Sequence, residues 1–232
     1  GYLFIEPEED ELACGVQGVG RLADPGDIVE QVVGRLAPKD LTEERILVTA
    51  GPTEEAIDPV RFLTNPSSGK MGYAIARAAA QRGARVTLIS GPTNCAPPLD
   101  VALVRVRSAE QMRKAVIKAF PACTSVVMAA AVSDFAPASV AKQKVKKQDA
   151  SLTVKLKTTP DILLELGQKK EDRVLIGFAA FGDVFDDAGE ALTSGGKRDH
   201  AVMASDGLRV GLELLMGLCG DNPGKARQIF GD

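Results

Sequence analysis

The chain has 232 residues, of which 45% are hydrophobic, so it can form one ordinary domain with a full core plus a smaller piece. Its 28 basic and 31 acidic residues leave a net charge of −3, which excludes a broad positive surface for nucleic acid or acidic membranes. No apolar run approaches the roughly 20 residues of a membrane span, and the first ten residues are acidic where a signal peptide is basic. We therefore expect a cytoplasmic protein.

Cysteine and histidine are too sparse for several kinds of site. With His200 as the only histidine, a Ser-His-Asp triad or a multi-histidine metal site is almost excluded unless it uses that residue. The four cysteines form no C-x-x-C pair, so reduced thiols are expected at Cys14, Cys95, Cys123 and Cys219. Catalysis should then rest on Lys, Asp, Asn, Cys or bound ions.

The first forty residues differ from the rest in composition and in predicted secondary structure. An acidic, glycine-containing loop from Glu6 to Gly20 precedes a predicted helix over Pro25–Leu36, with Asp24 as its cap and proline at its first position. A break at Pro38 predicts a linker near residues 38–44.

From Arg45 onward the pattern alternates between strands and helices. Strands are predicted at Ile46–Ala50, Ala84–Ile89, Ala102–Val106, Ser125–Val132, Ser151–Lys157 and Val174–Phe178, and helices at Met71–Gln81, Ser108–Phe120 and Pro160–Leu166. The most apolar strand, Ser125–Val132, should be central, whereas Ser151–Lys157 alternates like an edge strand. The fold class predicted is α/β, a Rossmann-like, doubly wound, mostly parallel sheet with flanking helices. Ligands should bind in the loops after residues 50, 90, 131 and 178.

The stretch before the second helix offers a phosphate cradle. Ser67, Ser68 and Gly69 place small residues and backbone N–H groups at a helix start, although an ordinary capped loop has the same composition. A Walker A motif fails because Thr64 and Met71 stand where glycine and Ser/Thr are needed.

The second strand ends in Ser-Gly-Pro without the acidic residue that binds a ribose in dinucleotide-binding folds. An NAD(P)-dependent reductase of Rossmann type therefore remains only an alternative, together with an inactive nucleotide-binding fragment.

Two further segments could carry chemistry. Asp134 follows the central strand and could bind a ribose, a base or magnesium, or could simply cap a turn. In an extended segment Lys142, Lys144 and Lys146 would project to one side as a mobile cationic strip that could close over a triphosphate; a solvated lysine run is the other interpretation.

Five motifs occur in the order found in phosphopantothenate-cysteine ligases, and the resemblance covers roughly residues 45–180. They are GPTEEAIDPVRFLTNPSSGKMG, LISGPT, AAAVSDF with KQKVKK, TTPDIL, and IGFAA. The resemblance implies an enzyme that uses CTP and Mg²⁺ to convert the carboxylate of 4′-phosphopantothenate to an acyl-cytidylate, from which cysteine displaces CMP. It also implies a homodimer.

The same resemblance assigns roles to individual residues. Lys144 would be the catalytic lysine, Asn65 would hold the acyl-cytidylate, and Arg61 would lie in the same substrate loop. Nucleotide contacts would fall on Lys144, on the cradle Ser67, Ser68 and Gly69, and on Met128, Ala129, Ala130, Asp134, Pro160, Asp161, Ile162, Leu163 and Phe178.

The N-terminal piece is similar to the end of the FMN-dependent phosphopantothenoylcysteine decarboxylase. The resemblance implies that Cys14 matches the decarboxylase proton donor and that FMN would belong to a decarboxylase body missing from this sequence. We therefore predict residues 1–40 as a decarboxylase remnant plus linker, and residues 41–232 as the ligase domain.

The far end departs from the family's pattern after about residue 181. The family has a glutamate and two CTP-contacting lysines where this chain has Phe181, Leu192 and Gly196. Only Lys197–Asp199 and Ala204–Asp206 are similar to the expected segment.

Overall fold

The computed structural model describes residues 2, 4–11, 14–146, 152–179 and 201–203. The strands are β1 Glu8–Glu11, β2 Gln17–Arg21, β3 Arg45–Ala50, β4 Glu54–Asp58, β5 Arg61–Thr64, β6 Arg85–Ser90, β7 Val101–Arg105, β8 Ser125–Met128, β9 Phe135–Pro137, β10 Leu156–Thr158, β11 Val174–Ala179 and β12 Ala201–Met203. The helices are α1 Pro25–Leu36, α2 Lys70–Gln81, α3 Ala109–Ala119 and α4 Ile162–Gly167, with a 3₁₀ turn at Phe120–Ala122.

A six-stranded parallel sheet forms the centre, in the order β12-β11-β8-β3-β6-β7. One core cluster joins the sheet to α2, and a second joins it to α3 and α4 on the opposite face. The predicted doubly wound α/β fold is therefore confirmed, and β8, flanked by β3 and β11, is central as its apolar sequence predicted.

Helix α2 lies unusually close to β3 at the carboxyl edge of the sheet. A Cβ added to Gly72 would lie 2.5 Å from the Ala50 Cβ and 2.8 Å from the Thr49 carbonyl oxygen. Only glycine permits this approach, which sets the start of α2 directly against the end of β3. The helix ends as predicted, with Gly83 in a left-handed conformation (φ 94°) just beyond it.

A β-hairpin that is absent from the predicted elements leaves the same edge. Strands β4 and β5 pair antiparallel from Glu54↔Thr64 to Asp58↔Arg61. A second two-stranded sheet pairs β9 with β10. Both small sheets lie outside the central one.

Three predicted boundaries were wrong for identifiable reasons. Strand β8 ends at Met128 instead of Val132, because the Ala131 N–H donates to the Gly51 carbonyl (2.9 Å) and draws the chain toward the loop after β3. Strand β10 covers only Leu156–Thr158 and is exposed; position 151 lies outside the described residues. Helix α4 begins at Ile162 because the Asp161 carboxylate accepts the Leu164 N–H (2.9 Å), which makes Asp161 the cap.

The N-terminal piece forms the β1–β2 hairpin, so the loop predicted from Glu6 to Gly20 was wrong. Helix α1 follows, and its predicted bounds and Asp24 cap are confirmed. Lys39 donates to the carbonyls of Gly34 (2.7 Å) and Gln81 (2.6 Å), so one ammonium holds the ends of α1 and α2 together. Within the described ranges, no helix has the length and apolarity needed to cross a membrane.

Candidate functional site

The loops after β3 and β6 meet the start of α2 through glycine backbones. Gly51 (φ 74°) and Gly69 (φ 76°) are left-handed, and a Cβ on Gly69 would lie 3.3 Å from the Gly51 Cα. A Cβ on Gly91 would lie 1.7 Å from the Pro52 carbonyl oxygen. These contacts leave no room for side chains, so the two GPT loops and the Ser-Ser-Gly loop form one surface.

The Ser-Ser-Gly loop is organised by its own hydroxyls. The Gly69 N–H donates to Ser67 Oγ (3.3 Å) and the Lys70 N–H donates to Ser68 Oγ (3.4 Å), while both serines remain exposed. Because Gly69 offers no side-chain cap, the first turn of α2 keeps the polarity that favours an anion. The predicted cradle is therefore at the carboxyl edge of the sheet.

Asn65 is held at the base of the β4–β5 hairpin. Its Nδ2 donates to the Val132 carbonyl (3.0 Å), and the Ser133 N–H nearby donates to the Thr53 hydroxyl (3.0 Å). Thr53 is fully buried. These bonds join the hairpin to the loop after β8, so Asn65 and that loop belong to one site.

The loop after β8 is also tied to the Thr-Thr-Pro-Asp segment. The Thr159 N–H donates to the Asp134 carbonyl (2.9 Å), and the Thr159 hydroxyl donates to the Ser133 carbonyl (2.6 Å). The Asp134 carboxylate is exposed, with no hydrogen bond to the rest of the described chain. The Asp134 loop and the segment that continues to Pro160 are therefore neighbours.

The lysine segment is anchored to the hairpin at two points. The Ala141 N–H donates to the Ile57 carbonyl (2.9 Å), and the Val145 N–H donates to Asp58 Oδ2 (3.1 Å). The predicted free, extended strip is wrong, because the chain bends at Lys142 and Gln143 and is fixed on both sides of Lys144. The hairpin thus holds the backbone that carries the exposed Lys144 side chain.

Asp58 is the centre of this anchor, and sequence reasoning missed it. Its side chain is wholly buried, and its Oδ1 accepts the N–H groups of Val60 and Arg61, both at 2.9 Å. Burial raises the pKa of the Asp58 carboxyl, but hydrogen bonds from three backbone N–H groups and the positive charge of Arg61 outweigh it, so the pKa is lowered. Asp58 is therefore an ionised anchor. The Asp-Pro dipeptide at a turn was the signal that could have found it.

Arg61 completes the anchor. Its Nη2 lies 3.0 Å from Asp58 Oδ2 and also donates to the Val145 carbonyl. The residue predicted for the substrate loop thus positions the lysine segment through its guanidinium. It also lines a cavity of about 710 Å³ that extends to Thr159 and Pro160.

The other predicted nucleotide residues form an apolar rim at the ends of β8 and β11. Leu163 packs over Gly177, where a Cβ would lie 2.5 Å from Leu163 Cδ2. The remaining members are partly exposed at Ala129, Ala130 and Phe178, and buried at Met128 and Ile162.

Other predicted positions lie either apart from this site or outside the described residues. Cys14 is an exposed free thiol in the turn between β1 and β2. The atypical positions Phe181, Leu192, Gly196, Lys197–Asp199 and Ala204–Asp206 lie outside the described residues, as do His200 and Cys219. Within the described ranges no group of three or more His, Cys, Asp or Glu side chains could hold a metal ion.

Known proteins share both the sequence and the fold of this chain. A family model described as the DNA/pantothenate metabolism flavoprotein C-terminal domain matches residues 41–203. The coenzyme A biosynthesis bifunctional protein CoaBC of Bacillus subtilis (strain 168) is 52% identical over 189 residues, which cover 78% of this chain and 45% of that protein. The chain thus spans less than half of this relative.

Solved structures of related proteins share the fold of this chain. The C-terminal domain of a coenzyme A biosynthesis bifunctional protein CoaBC superposes with a TM-score of 0.51 at 50% identity, covering 58% of this chain and 62% of that one. A variant of Cab2 in complex with phosphopantothenate-cysteine superposes with a TM-score of 0.54 at 16% identity, covering 70% and 72%. The latter likeness shows the fold alone.

Proposed function

The chain belongs to the family of DNA/pantothenate metabolism flavoprotein C-terminal domains, as a phosphopantothenate-cysteine ligase domain of coenzyme A biosynthesis, and we propose that it joins 4′-phosphopantothenate to cysteine at the expense of CTP. A carboxylate is a poor acceptor for an amine, so it must first be activated. The family membership favours this reaction over the reductase alternative.

The proposed reaction has two steps. A carboxylate oxygen of 4′-phosphopantothenate attacks the α-phosphorus of CTP, and the bond to the leaving pyrophosphate breaks to give an acyl-cytidylate. The cysteine amine then attacks the acyl carbon, CMP leaves, and the amine loses a proton as the amide forms. Each step has negative charge developing on a leaving phosphate.

The observation that carries the proposal is the anchoring of the lysine segment by Asp58. Positioned cations stabilise developing charge best when their geometry is fixed before reaction. Here Val145 is bound by both Asp58 and Arg61, and Ala141 is bound by Ile57. We assign the intervening Lys144 to the departing pyrophosphate.

Asn65 is assigned to the second step. Its amide is already held by the Val132 carbonyl, which fixes the side chain beside the loop that carries Asp134. A fixed amide can orient the acyl-cytidylate for attack by the amine. We assign Arg61 to the same substrate loop, where its guanidinium also supports Lys144.

The nucleotide is assigned to the surface between the Ser-Ser-Gly loop and the apolar rim. Its phosphates would meet the backbone of Ser67, Ser68 and Gly69, and Phe178 would provide one wall for the base. Mg²⁺ would arrive as part of the nucleotide substrate. One exposed carboxylate, Asp134, fits this arrangement, because Mg²⁺ commonly uses one or two carboxylates together with substrate phosphates.

We also propose a homodimer. Apolar side chains beside the anchor are exposed, including Val60 (58%), Phe62 (41%) and Val140 (57%). These three side chains line one cavity, and exposed apolar side chains gathered in one place favour contact with a second copy. Light scattering after size exclusion would test it, with a single protomer mass as the contradicting result.

Residues 1–40 are proposed as the end of a flavin-dependent decarboxylase domain. The described residues of this piece are two short strands and one helix, and Cys14 lies in an exposed turn. FMN would belong to the body of that domain, and no step of the ligation uses it.

The test is pyrophosphate release from CTP in the presence of 4′-phosphopantothenate and cysteine. We expect one pyrophosphate per amide formed. Melting temperatures with CTP and with NADPH separate the alternatives, because a ligand stabilises the state that it binds. Stabilisation by CTP without turnover would indicate an inactive fragment, and stabilisation by NADPH alone would indicate a reductase.

A further inference from the structure

A cavity of about 860 Å³ beside the Ser-Ser-Gly loop is lined by three cationic residues from separate elements. Lys70 is the first residue of α2, Arg105 is the last of β7, and Arg107 follows in the loop before α3. Among the described residues that line this cavity, Glu54 is the one acidic residue. The cavity therefore carries an excess of positive charge.

Packing explains why residues so distant in sequence share one cavity. Lys70 and Tyr73 are three residues apart on α2 and so lie on the same helix face. The Tyr73 hydroxyl donates to Ser90 Oγ (3.1 Å), and Ser90 is the register partner of Arg105 in the β6–β7 pair. Tyr73, at 5% exposure, thus packs the first turn of α2 against the end of β6, next to Arg105 at the end of β7.

The three cations differ in how they are compensated. Arg107 Nε donates to Glu54 Oε2 (2.7 Å), and its guanidinium carbon lies 5.7 Å from the centre of the Phe62 ring. Lys70 and Arg105 have no carboxylate partner within the described part of the chain. Like charges gathered in one cavity repel each other, and a bound anion would remove that cost.

We propose that Arg105, Arg107 and Lys70 form a subsite for a terminal phosphate group, an assignment that rests on the ligase function proposed above. Arginine presents paired N–H donors that match phosphate oxygens, and lysine adds a point charge. Glu54 and Phe62 orient the Arg107 guanidinium, and Arg105 stands at the open edge of the sheet. The cavity adjoins Ser67 and Ser68, so the subsite continues the phosphate cradle toward β7.

Two substrates of the proposed reaction carry such a group. One source is the triphosphate tail of CTP, which leaves as pyrophosphate; the other is the 4′-phosphate of phosphopantothenate. The shared chemistry is a phosphate with two or more negative charges, and substrate kinetics tell the sources apart.

The first experiment measures binding of pyrophosphate and of inorganic phosphate to the full chain by calorimetry. We expect Arg105→Gln to weaken binding of one of these anions about tenfold, as loss of a charge-assisted contact implies. The matched control is Arg85→Gln, which removes the same charge from an exposed residue at the start of β6, at the opposite edge of the sheet. That control should bind both anions like the wild type. Equal affinities in wild type and Arg105→Gln would overturn the subsite.

The second experiment identifies the source. If the subsite holds the triphosphate tail, Arg105→Gln raises the KM for CTP about tenfold and weakens inhibition by pyrophosphate, with the KM for phosphopantothenate unchanged. If it holds the 4′-phosphate, the KM for phosphopantothenate rises instead. Unchanged KM values for both substrates would refute the assignment even in an active enzyme.

Further measurements distinguish loss of the phosphate subsite from loss of folding and from absence of the proposed ligase activity. Arg105→Lys keeps the charge and should recover part of the lost affinity. If the Arg105 side chain had only a structural role, a variant of unchanged melting temperature would bind the anions like the wild type. Anion binding that requires Arg105 in a chain without ligase activity would keep the subsite and reject the proposed function. Ligase activity with anion binding independent of Arg105 would keep the proposed function and reject the subsite.

Discussion

Helices α1 and α2 have the same length, 12 residues, and opposite surroundings. Helix α2 buries one face against the sheet, including Tyr73 and Ile75. Helix α1 buries no residue, and its apolar stripe is exposed at Val29, Val32, Val33 and Leu36. Polar contacts tie it to the body: Glu30 pairs with Arg77 (3.0 Å), and Lys39 bridges the two helix ends.

The difference teaches that periodicity specifies a helix but not its partner. The apolar positions of α1 recur at i, i+3, i+4 and i+7, the spacing that normally faces a core. Nevertheless, the helix is held through its polar side. Exposed ion pairs contribute about 0–1 kcal/mol, whereas a buried aliphatic side chain contributes about 1.5–3 kcal/mol. The body beyond residue 41 should therefore tolerate little change, and the N-terminal piece much.

The largest expected effect separates the two regions by activity. Lys144→Gln should lower the rate of acyl-cytidylate formation at least about 100-fold, because it removes a positioned cation from the leaving phosphate. Cys14→Ser, the matched change in the N-terminal piece, should leave ligation unaltered. Pyrophosphate release at saturating CTP measures both. Full activity of Lys144→Gln, or a large loss of activity in Cys14→Ser, would contradict the assignment of ligation to the body and not to the N-terminal piece.

Asn65→Asp tests the second step of the proposed reaction, the conversion of the acyl-cytidylate by cysteine. Acyl-cytidylate should still form and accumulate, because Asn65 is assigned to its conversion by cysteine. Quenched single-turnover samples would show the accumulation, and absence of the intermediate would remove that assignment.

The next effect compares one glycine from each helix. Gly72→Ala should destabilise the fold by about 3 kcal/mol, because the new methyl group would enter the Ala50 Cβ and Thr49 carbonyl contacts. Gly34→Ala should stabilise it by about 0.5–1 kcal/mol, since alanine is the better helix former and the nearest atom, Gln81 Cγ, would be 3.6 Å away. Urea unfolding measures both. The same sign in the two variants would contradict the packing difference.

The sequence predicted the central sheet well because buried strands and capped helices carry local signals. The bounds of α1 and the central place of β8 follow from Asp24, Pro25 and an apolar run. The β4–β5 hairpin carries no such signal, because Glu54, Glu55 and Asp58 look like a solvated loop. Glu55 is buried, since its carboxylate accepts the Ala109 N–H (2.7 Å), and this long-range contact cannot be seen locally.

The candidate site was predicted in its residue types and only partly in its geometry. Asp134 was found because it follows a strand, at the edge where topology brings loops together. Asn65 was assigned through the family resemblance. The anchor under Lys144 depends on Asp58 meeting Val145 across 87 positions of sequence. No local pattern carries a pairing of that separation.

The Asp58 anchor gives a smaller effect with a pH signature. Asp58→Asn should lower kcat about tenfold, because the lysine segment loses its fixed position. The folded-state pKa of Asp58 is lowered, so its stabilisation is present above its unfolded pKa of about 4 and is lost as pH falls through the folded pKa. The stability difference between wild type and Asp58→Asn should therefore be constant near neutral pH and shrink below about pH 4. Urea midpoints from pH 3 to 7 measure this difference. A difference that grows on acidification would contradict a lowered folded-state pKa of Asp58.

The smallest expected effect belongs to the exposed stripe of α1. Leu36, at 81% exposure, should accept glutamine with a change in unfolding free energy below about 0.5 kcal/mol, as surface positions usually do. The counterpart on α2 is Ile75→Ala, where the side chain is 4% exposed and the expected loss is about 3 kcal/mol. Both are read from urea unfolding at two protein concentrations tenfold apart. A loss above about 1 kcal/mol in Leu36→Gln that depends on concentration would show that another copy covers the stripe in solution, because stability coupled to association follows mass action. A loss independent of concentration would instead mean that α1 packs against its own chain, and the contrast between the two helices would then be wrong.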